Sequence, residues 1–133
     1  MLQDISRTSS YYQAIRGDSS FKNKIILDVG AGSGILSYFA LLGEAKKVYG
    51  LEAANGMIPI MKKLIKNNHF SENWKSKIII LNGKIEDITN DWWNNQMKFE
   101  KVDKIISEPM GVLLLHERMI ESFVYARDLL LKV

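Results

Sequence analysis

A parallel α/β sheet of about four strands with flanking helices, Rossmann-like in class, is the fold that this 133-residue sequence predicts. Three observations predict it. Short runs rich in isoleucine and valine alternate with stretches of helical periodicity, a glycine-rich turn joins the first run to the first helix, and the second run ends on an acid, Glu52.

Each element follows from its own residues. Residues 1–16 read as a helical arm with a thin apolar stripe, stopped by the turn signal Gly17-Asp18-Ser19-Ser20. Residues 24–29 are a short apolar strand running into Gly30, and residues 35–42 place apolar side chains on a helical period until Gly43 closes that helix. Residues 47–52 form the second strand. A helix over 57–67 carries Ile60, Met61, Leu64 and Ile65 on one stripe, and Pro59 is tolerable there because it falls in the first turn. Residues 77–81 and 102–106 are isoleucine-rich in the manner of buried strands. Between them, the polar insert from Thr89 to Gln96 holds the adjacent pair Trp92 and Trp93; it reads as a capped helical turn that tucks one tryptophan onto the sheet edge, in preference to a binding aromatic. A last helix over 117–132 gathers Met119, Phe123, Ala126 and Leu130 on one face, with Ile120, Val124 and Leu131 beside them. Strands alternating with helices pair in parallel through right-handed crossovers. The pattern stops on a helix after its fourth strand, so the chain reads as cut short, with an arm over 1–20 and one domain over 21–133.

Composition narrows the function classes. With 47% hydrophobic and 25% charged residues the chain has material for one sizeable core and is neither disordered nor fibrous. No apolar run approaches the roughly 18 residues of a membrane span, and Met1-Leu2-Gln3-Asp4 lacks the features of a signal peptide, which makes a soluble intracellular protein the expectation. The absence of cysteine removes disulfides and thiolate metal sites, and His69 and His116 lie too far apart in sequence to suggest a ligand pair, so no structural metal is expected. The net charge of +3 is mild, with lysines scattered or paired as at Lys46-Lys47 and Lys62-Lys63, and it does not call for direct nucleic-acid binding.

The chemistry concentrates at predicted strand ends. Asp28-Val29-Gly30-Ala31-Gly32-Ser33-Gly34-Ile35 sits where strand passes to helix, and glycine there lets backbone N–H groups approach a nucleotide-like ligand with no Cβ in the way. The dinucleotide fingerprint needs glycine where this chain has Ile35, which argues against a nicotinamide cofactor and leaves a plain structural turn as the other reading. Glu52 ends the next strand, and a carboxylate at the carboxyl end of an adjacent parallel strand can accept both hydroxyls of a ribose; the alternative is a solvated strand-end glutamate. The third strand runs into Asn82-Gly83-Lys84-Ile85-Glu86-Asp87 at the same edge. Finally, Ile-Ile-Ser-Glu-Pro-Met-Gly-Val-Leu-Leu-Leu-His-Glu-Arg-Met, starting at Ile105, sets Glu108 and Glu117 at the two ends of a largely uncharged loop. Two ionised carboxylates offer only acceptors, which suits a planar guanidinium with five donors and none to accept. For Glu117 a first-turn carboxylate favoured by the helix dipole remains a second reading. His116 and His69 read as surface or satisfied side chains, not as bases.

These pieces resemble the protein arginine methyltransferases, and Glu-Pro-Met-Gly with Glu-Arg-Met leans toward the coactivator-associated branch. The Gly-x-Gly-x-Gly spacing resembles motif I of S-adenosylmethionine-dependent methyltransferases, and the Gly83 segment resembles the family's Gly-Lys-Val-Glu-Glu. The resemblance implies a class I methyltransferase fold and S-adenosyl-L-methionine as cofactor. It further implies that Asp28, Gly30, Gly32, Gly34, Glu52, Ile85, Glu86 and Ser122 contact that cofactor: methionine portion over the glycine loop, ribose at Glu52, adenine at Ile85 and Glu86. Arg7, in Met1-Leu2-Gln3-Asp4-Ile5-Ser6-Arg7-Thr8, inherits the helix arginine that pairs with the methionine carboxylate. Glu108 and Glu117 become the catalytic pair, acting on an arginine of a histone or another protein. A nuclear or cytoplasmic location follows, with a homodimer for the full-length form and a monomer for this fragment. The sequence departs from the family at Val112, where a tyrosine is usual, and the family's β-barrel, dimerisation arm and histidine-bearing loop would follow Val133.

The implied chemistry has a physical requirement. Methyl transfer from a sulfonium to nitrogen needs an electron pair, yet the arginine side chain stays protonated, with a solution pKa above about 12. Two glutamates gripping the guanidinium from opposite sides draw positive charge toward the gripped nitrogens and leave the remaining terminal nitrogen richer in electron density. Holding it in near-attack geometry is worth about 7–11 kcal/mol through prepaid entropy. Two other readings remain at this point. A small-molecule methyltransferase would keep Glu52 and the glycine loop without needing Glu117, and a non-catalytic binding module would need neither.

Overall fold

The computed structural model describes residues 9–10, 12–14, 19–67, 72–97, 100–107 and 119–132. Four strands, β1 (Ile25–Val29), β2 (Lys47–Glu52), β3 (Ile78–Asn82) and β4 (Lys104–Ser107), form one sheet in the order β3-β2-β1-β4. Every pairing is parallel, with Asp28 opposite Gly50 on one side and Ile106 on the other, and Glu52 opposite Asn82. The helices are α1 (Ile35–Leu42), α2 (Met57–Asn67), α3 (Glu72–Lys75), α4 (Asn90–Met97) and α5 (Met119–Leu130), with short 3-10 turns at Ser19–Phe21 and Ile85–Asp87. The chain lays β1, β2 and β3 outward in one direction and then returns to place β4 against the other side of β1. That reversal between β1 and β4 is a topological switch point, and parallel sheets bind ligands at the carboxyl ends of the strands beside it.

Alternation along the strands builds two cores. Leu27, Val29, Tyr49 and Leu51 join Ile85, Ile88, Trp93, Ala126 and Leu130 on one face, whereas Ile26 and Val48 join Phe21, Leu36, Phe39, Ala40 and Leu41 on the other. Full burial of each large apolar side chain contributes about 1.5–3 kcal/mol, so both faces hold the sheet. Tyr12, in the short helical stretch over residues 12–14, sets its ring edge-on to Phe39 at 5.1 Å between centroids.

Several expectations shift by small physical causes. The fourth strand starts at Lys104, two residues later than expected, because Asp103 turns its carboxylate to the Ile25 N–H (2.8 Å) and the Lys132 Nζ (3.0 Å). Val102 instead makes an isolated parallel bridge with Leu131, which ends α5 at Leu130. The third strand is Ile78–Asn82, one residue later than read. Gly43 caps α1 with φ −79°, and the left-handed residue that turns the chain is Glu44, at φ 66°. On α2 the expected stripe is buried only at Met61; Ile60 and Leu64 are exposed.

The tryptophan insert is a helix, capped where Thr89 Oγ1 accepts the Trp92 N–H at 3.2 Å. Trp93 is 2% exposed, donates its Nε1–H to the Glu100 carbonyl at 2.6 Å, and packs edge-on to Tyr49 at 5.6 Å. Tyr49 belongs to β2, an interior strand, so the tryptophan covers a sheet face and not the edge that the sequence suggested. Beside it the Glu100 carboxylate accepts both the Tyr49 hydroxyl and the Lys47 Nζ, the latter at 3.0 Å. Burial raises the Glu100 pKa, but the Tyr49 and Lys47 donors outweigh it and hold the group below the usual glutamate value.

Candidate functional site

Strand β1 delivers Asp28 and the glycine turn to the switch point. Gly30, Gly32 and Gly34 all have positive φ, at 70°, 56° and 85°. Gly34 is the most constrained: a Cβ there would lie 3.1 Å from Met61 Cγ in addition to the strained backbone, which fits the seating of α2 against the turn. The turn is wired to β2. The Gly30 and Ala31 N–H groups donate to the Leu51 carbonyl at 2.9 and 3.0 Å, the Gly34 N–H donates to Ala31, and the Gly32 N–H donates to Glu52 Oε2 at 2.6 Å. These four amides are therefore engaged inside the protein. The sequence reading had loop amides approaching a ligand, whereas at these positions the turn offers shape and a neighbouring carboxylate.

Glu52 sits at the end of β2 and is 9% exposed. Its Oε2 takes the Gly32 N–H and its Oε1 takes the Ala54 N–H at 2.9 Å. A carboxylate has about four lone-pair directions, so two remain after these bonds, one on each oxygen. Such a group is a fixed, two-pronged acceptor for a pair of hydroxyls. One strand further out, the Asn82 Nδ2 donates to Asn55 Oδ1 at 2.8 Å, and the Gly83 N–H donates to the Glu52 carbonyl at 3.0 Å.

Asp28 is 1% exposed and accepts the Ser37 hydroxyl at 2.7 Å. Burial pushes its carboxyl up to about 7; the Ser37 hydroxyl and amide pull it down, and the Glu52 charge adds to the rise. Ser37 was missed by sequence reasoning. A small polar residue in the first turn of an otherwise apolar helix, three residues after Gly34, is the signal that could have found it.

The remaining expected site residues are distributed unevenly. Ile85 is buried in the core with Trp93 and Ile88, whereas Glu86 beside it is exposed. Ser122 lies on α5. Arg7, Glu108 and Glu117 lie outside the described residues. The chain does reach the start of the paired-acid segment at the switch point, because Ser107 ends β4 with its Oγ donating to the Val29 carbonyl at 2.8 Å. Among the described residues no group of three or more histidines and acids could hold a metal, and no helix is long and apolar enough to cross a membrane.

Comparison with known proteins bears on this geometry. Residues 12–108 match the family model described as "Ribosomal protein L11 methyltransferase (PrmA)". The chain is also 49% identical over 128 residues to "Histone-arginine methyltransferase CARMER" of Drosophila ananassae, a match that covers 96% of this chain and 22% of that protein. The chain belongs to the protein arginine methyltransferase family. Two solved structures of that family agree. The chain of the "Trypanosoma brucei PRMT1 enzyme-prozyme heterotetrameric complex with AdoHcy" superposes with a TM-score of 0.81 at 40% identity, covering 99% of this chain and 38% of that one. Protein Arginine Methyltransferase 10 of Arabidopsis thaliana gives 0.82 at 39% identity, covering 99% and 34%. The fold is that of the class I methyltransferases. The two kinds of match are compatible, since the L11 methyltransferase model stops at the first glutamate of the pair, whereas the arginine methyltransferase matches span nearly the whole chain. The chain spans about a fifth of the length of the curated relatives it matches, 22% in the first case.

Proposed function

We propose that the full-length protein is an S-adenosylmethionine-dependent protein arginine N-methyltransferase, and that this chain supplies its N-terminal arm (1–20) and cofactor domain (21–133). The observation that carries the reading is the Glu52 carboxylate, clamped by the Gly32 and Ala54 N–H groups beside the switch point with one acceptor direction left on each oxygen. It suits a ribose diol, and the 49% identity to a protein named a histone-arginine methyltransferase supports the choice of reaction. Asp28, the three glycines of the turn, Glu52, Ile85, Glu86, Ser122 and Arg7 would hold the cofactor. When bound, the cofactor supplies an electrophilic methyl group on a sulfonium.

The protein's own part is to prepare the nucleophile. Glu108 and Glu117 orient the guanidinium of a protein substrate, such as a histone, and leave one terminal nitrogen directed at the methyl group. Exclusion of water strengthens these charge interactions. Histones as substrates place the action in the nucleus. The deciding experiment incubates the full-length protein with methyl-tritiated S-adenosylmethionine and a histone-tail peptide, with an Arg→Lys peptide as control. Label is expected on the arginine peptide alone, and tight S-adenosylhomocysteine binding without any label transfer to arginine would overturn the substrate assignment.

A further inference from the structure

Helix α1 opens on a residue that cannot cap it. Gly34 at its N-cap has no side chain to offer and makes no side-chain cap, and the first turn carries no acid. The exposed amides of a helix start need an acceptor, normally from the cap residue itself. Here the first turn is held instead by a side chain of a different element, through the Ser37 hydroxyl. Asp28 on β1 accepts the Ser37 hydroxyl at 2.7 Å, and each of the two residues is 1% exposed. One residue therefore ties the start of α1 to the end of β1, and the glycine turn is the length of chain strung between those two points.

We propose that Ser37 is a positioning residue: by holding the Asp28 carboxylate it ties the start of α1 to the end of β1, sets the shape of the glycine turn and through it the affinity for cofactor. The inference rests on the cofactor reading given above. Asp28 is a buried group under opposing influences. Burial disfavours its charge, the Ser37 hydroxyl favours it, and Glu52 on β2 repels it. Its neighbours in register, Gly50 on β2 and Ile106 on β4, carry no charge. Removing the hydroxyl shifts this balance toward the neutral acid, which no longer holds the helix start as a charged acceptor does.

The test measures S-adenosylhomocysteine affinity by calorimetry between pH 6 and 9 in the full-length protein, for wild type, Ser37→Ala, Asp28→Asn and the double variant. Ser37→Ala is expected to weaken binding about tenfold near pH 7, with the deficit shrinking toward pH 9 as Asp28 ionises without its help. In the Asp28→Asn background the same substitution is expected to change affinity less than about threefold. A deficit equal at every pH, or equally large with Asp28→Asn, would show that Ser37 only fills space and would overturn the proposal. Ser37→Cys keeps the volume with a weaker donor and is expected to fall between; if Ser37→Ala fails to fold, a pH-independent loss in Ser37→Cys overturns the proposal equally. Absence of binding in the wild type is a separate outcome, because it removes the cofactor reading on which this inference stands.

Discussion

Two acids at adjacent strand ends behave differently because their partners differ. Glu52 is satisfied by two backbone amides and stays an acceptor with capacity to spare. Its replacement by glutamine puts an NH2 group where one of those amides points. Glu52→Gln is expected to weaken S-adenosylhomocysteine about 10- to 100-fold, since hydrogen bonds to a charged group are worth about 1.5–3 kcal/mol; calorimetry showing less than a threefold change would remove Glu52 from the site. Asp28 carries the opposite signature, with its carboxyl raised from 3.8 to about 7 by burial. A raised acid binds protons more tightly in the folded state, so its stabilising contribution is complete below the unfolded value and is lost as pH rises through the folded one. Asp28→Asn is therefore expected to be more stable than wild type in urea, by a margin that grows between about pH 4 and 7 and then levels off. Unfolding midpoints at pH 5 and 8 check this, and a margin that is flat or reversed would contradict it.

At the scale of elements, helix α4 shows how a polar segment can be anchored by one side chain. Asn90–Met97 has little apolar character, and its attachment depends on Trp93, which is buried against Tyr49 and hydrogen-bonded to Glu100. Trp93→Ala removes the buried ring that packs on Tyr49 and leaves a cavity beside the sheet. A loss of about 3–5 kcal/mol is expected by chemical denaturation, and a loss below about 1 kcal/mol would mean that the helix is held elsewhere. The adjacent Glu100 draws on the same strand through Lys47 and Tyr49, so Trp93 of α4, Glu100 and β2 are bonded together. This unit lies on the sheet face opposite α1, whereas the turn carrying Gly30 to Gly34 is braced by β2 through Leu51 and Glu52 and tied to α1 through Asp28 and Ser37.

For the whole molecule, the strand order decides where chemistry can happen. With β1 central and β4 returning to its free side, Val29 and Ser107 end their strands side by side at the carboxyl end of the sheet. In the full-length protein, Glu108→Gln and Glu117→Gln are each expected to lower kcat about 10²- to 10³-fold while leaving S-adenosylhomocysteine affinity within about threefold, because a preorganised electrostatic contact to the reacting group acts mainly on the chemical step. Steady-state kinetics with a histone-tail peptide measures the first and calorimetry the second. Full activity in either variant would exclude the paired-acid mechanism.

Much of this was legible in the chain because local chemistry is strong where it matters. Glycines at positions 30, 32 and 34 announce a turn with positive φ, isoleucine-rich runs announce buried parallel strands, and the bounds of β2, α1 and α2 follow from periodicity alone. The arginine methyltransferase resemblance likewise rests on short motifs that survive as sequence. What required the fold was everything set by contacts between residues distant along the chain. The Asp28 carboxyl is pushed up because packing buries it, against the pull of the Ser37 hydroxyl that the fold brings to it, the Glu52 carboxylate found Gly32 across a strand crossover, and Asp103 delayed β4 by pairing with Ile25, 78 positions earlier. Burial, and therefore charge, is a property of packing, and no local pattern encodes which polar atom a distant element will place beside a given carboxylate.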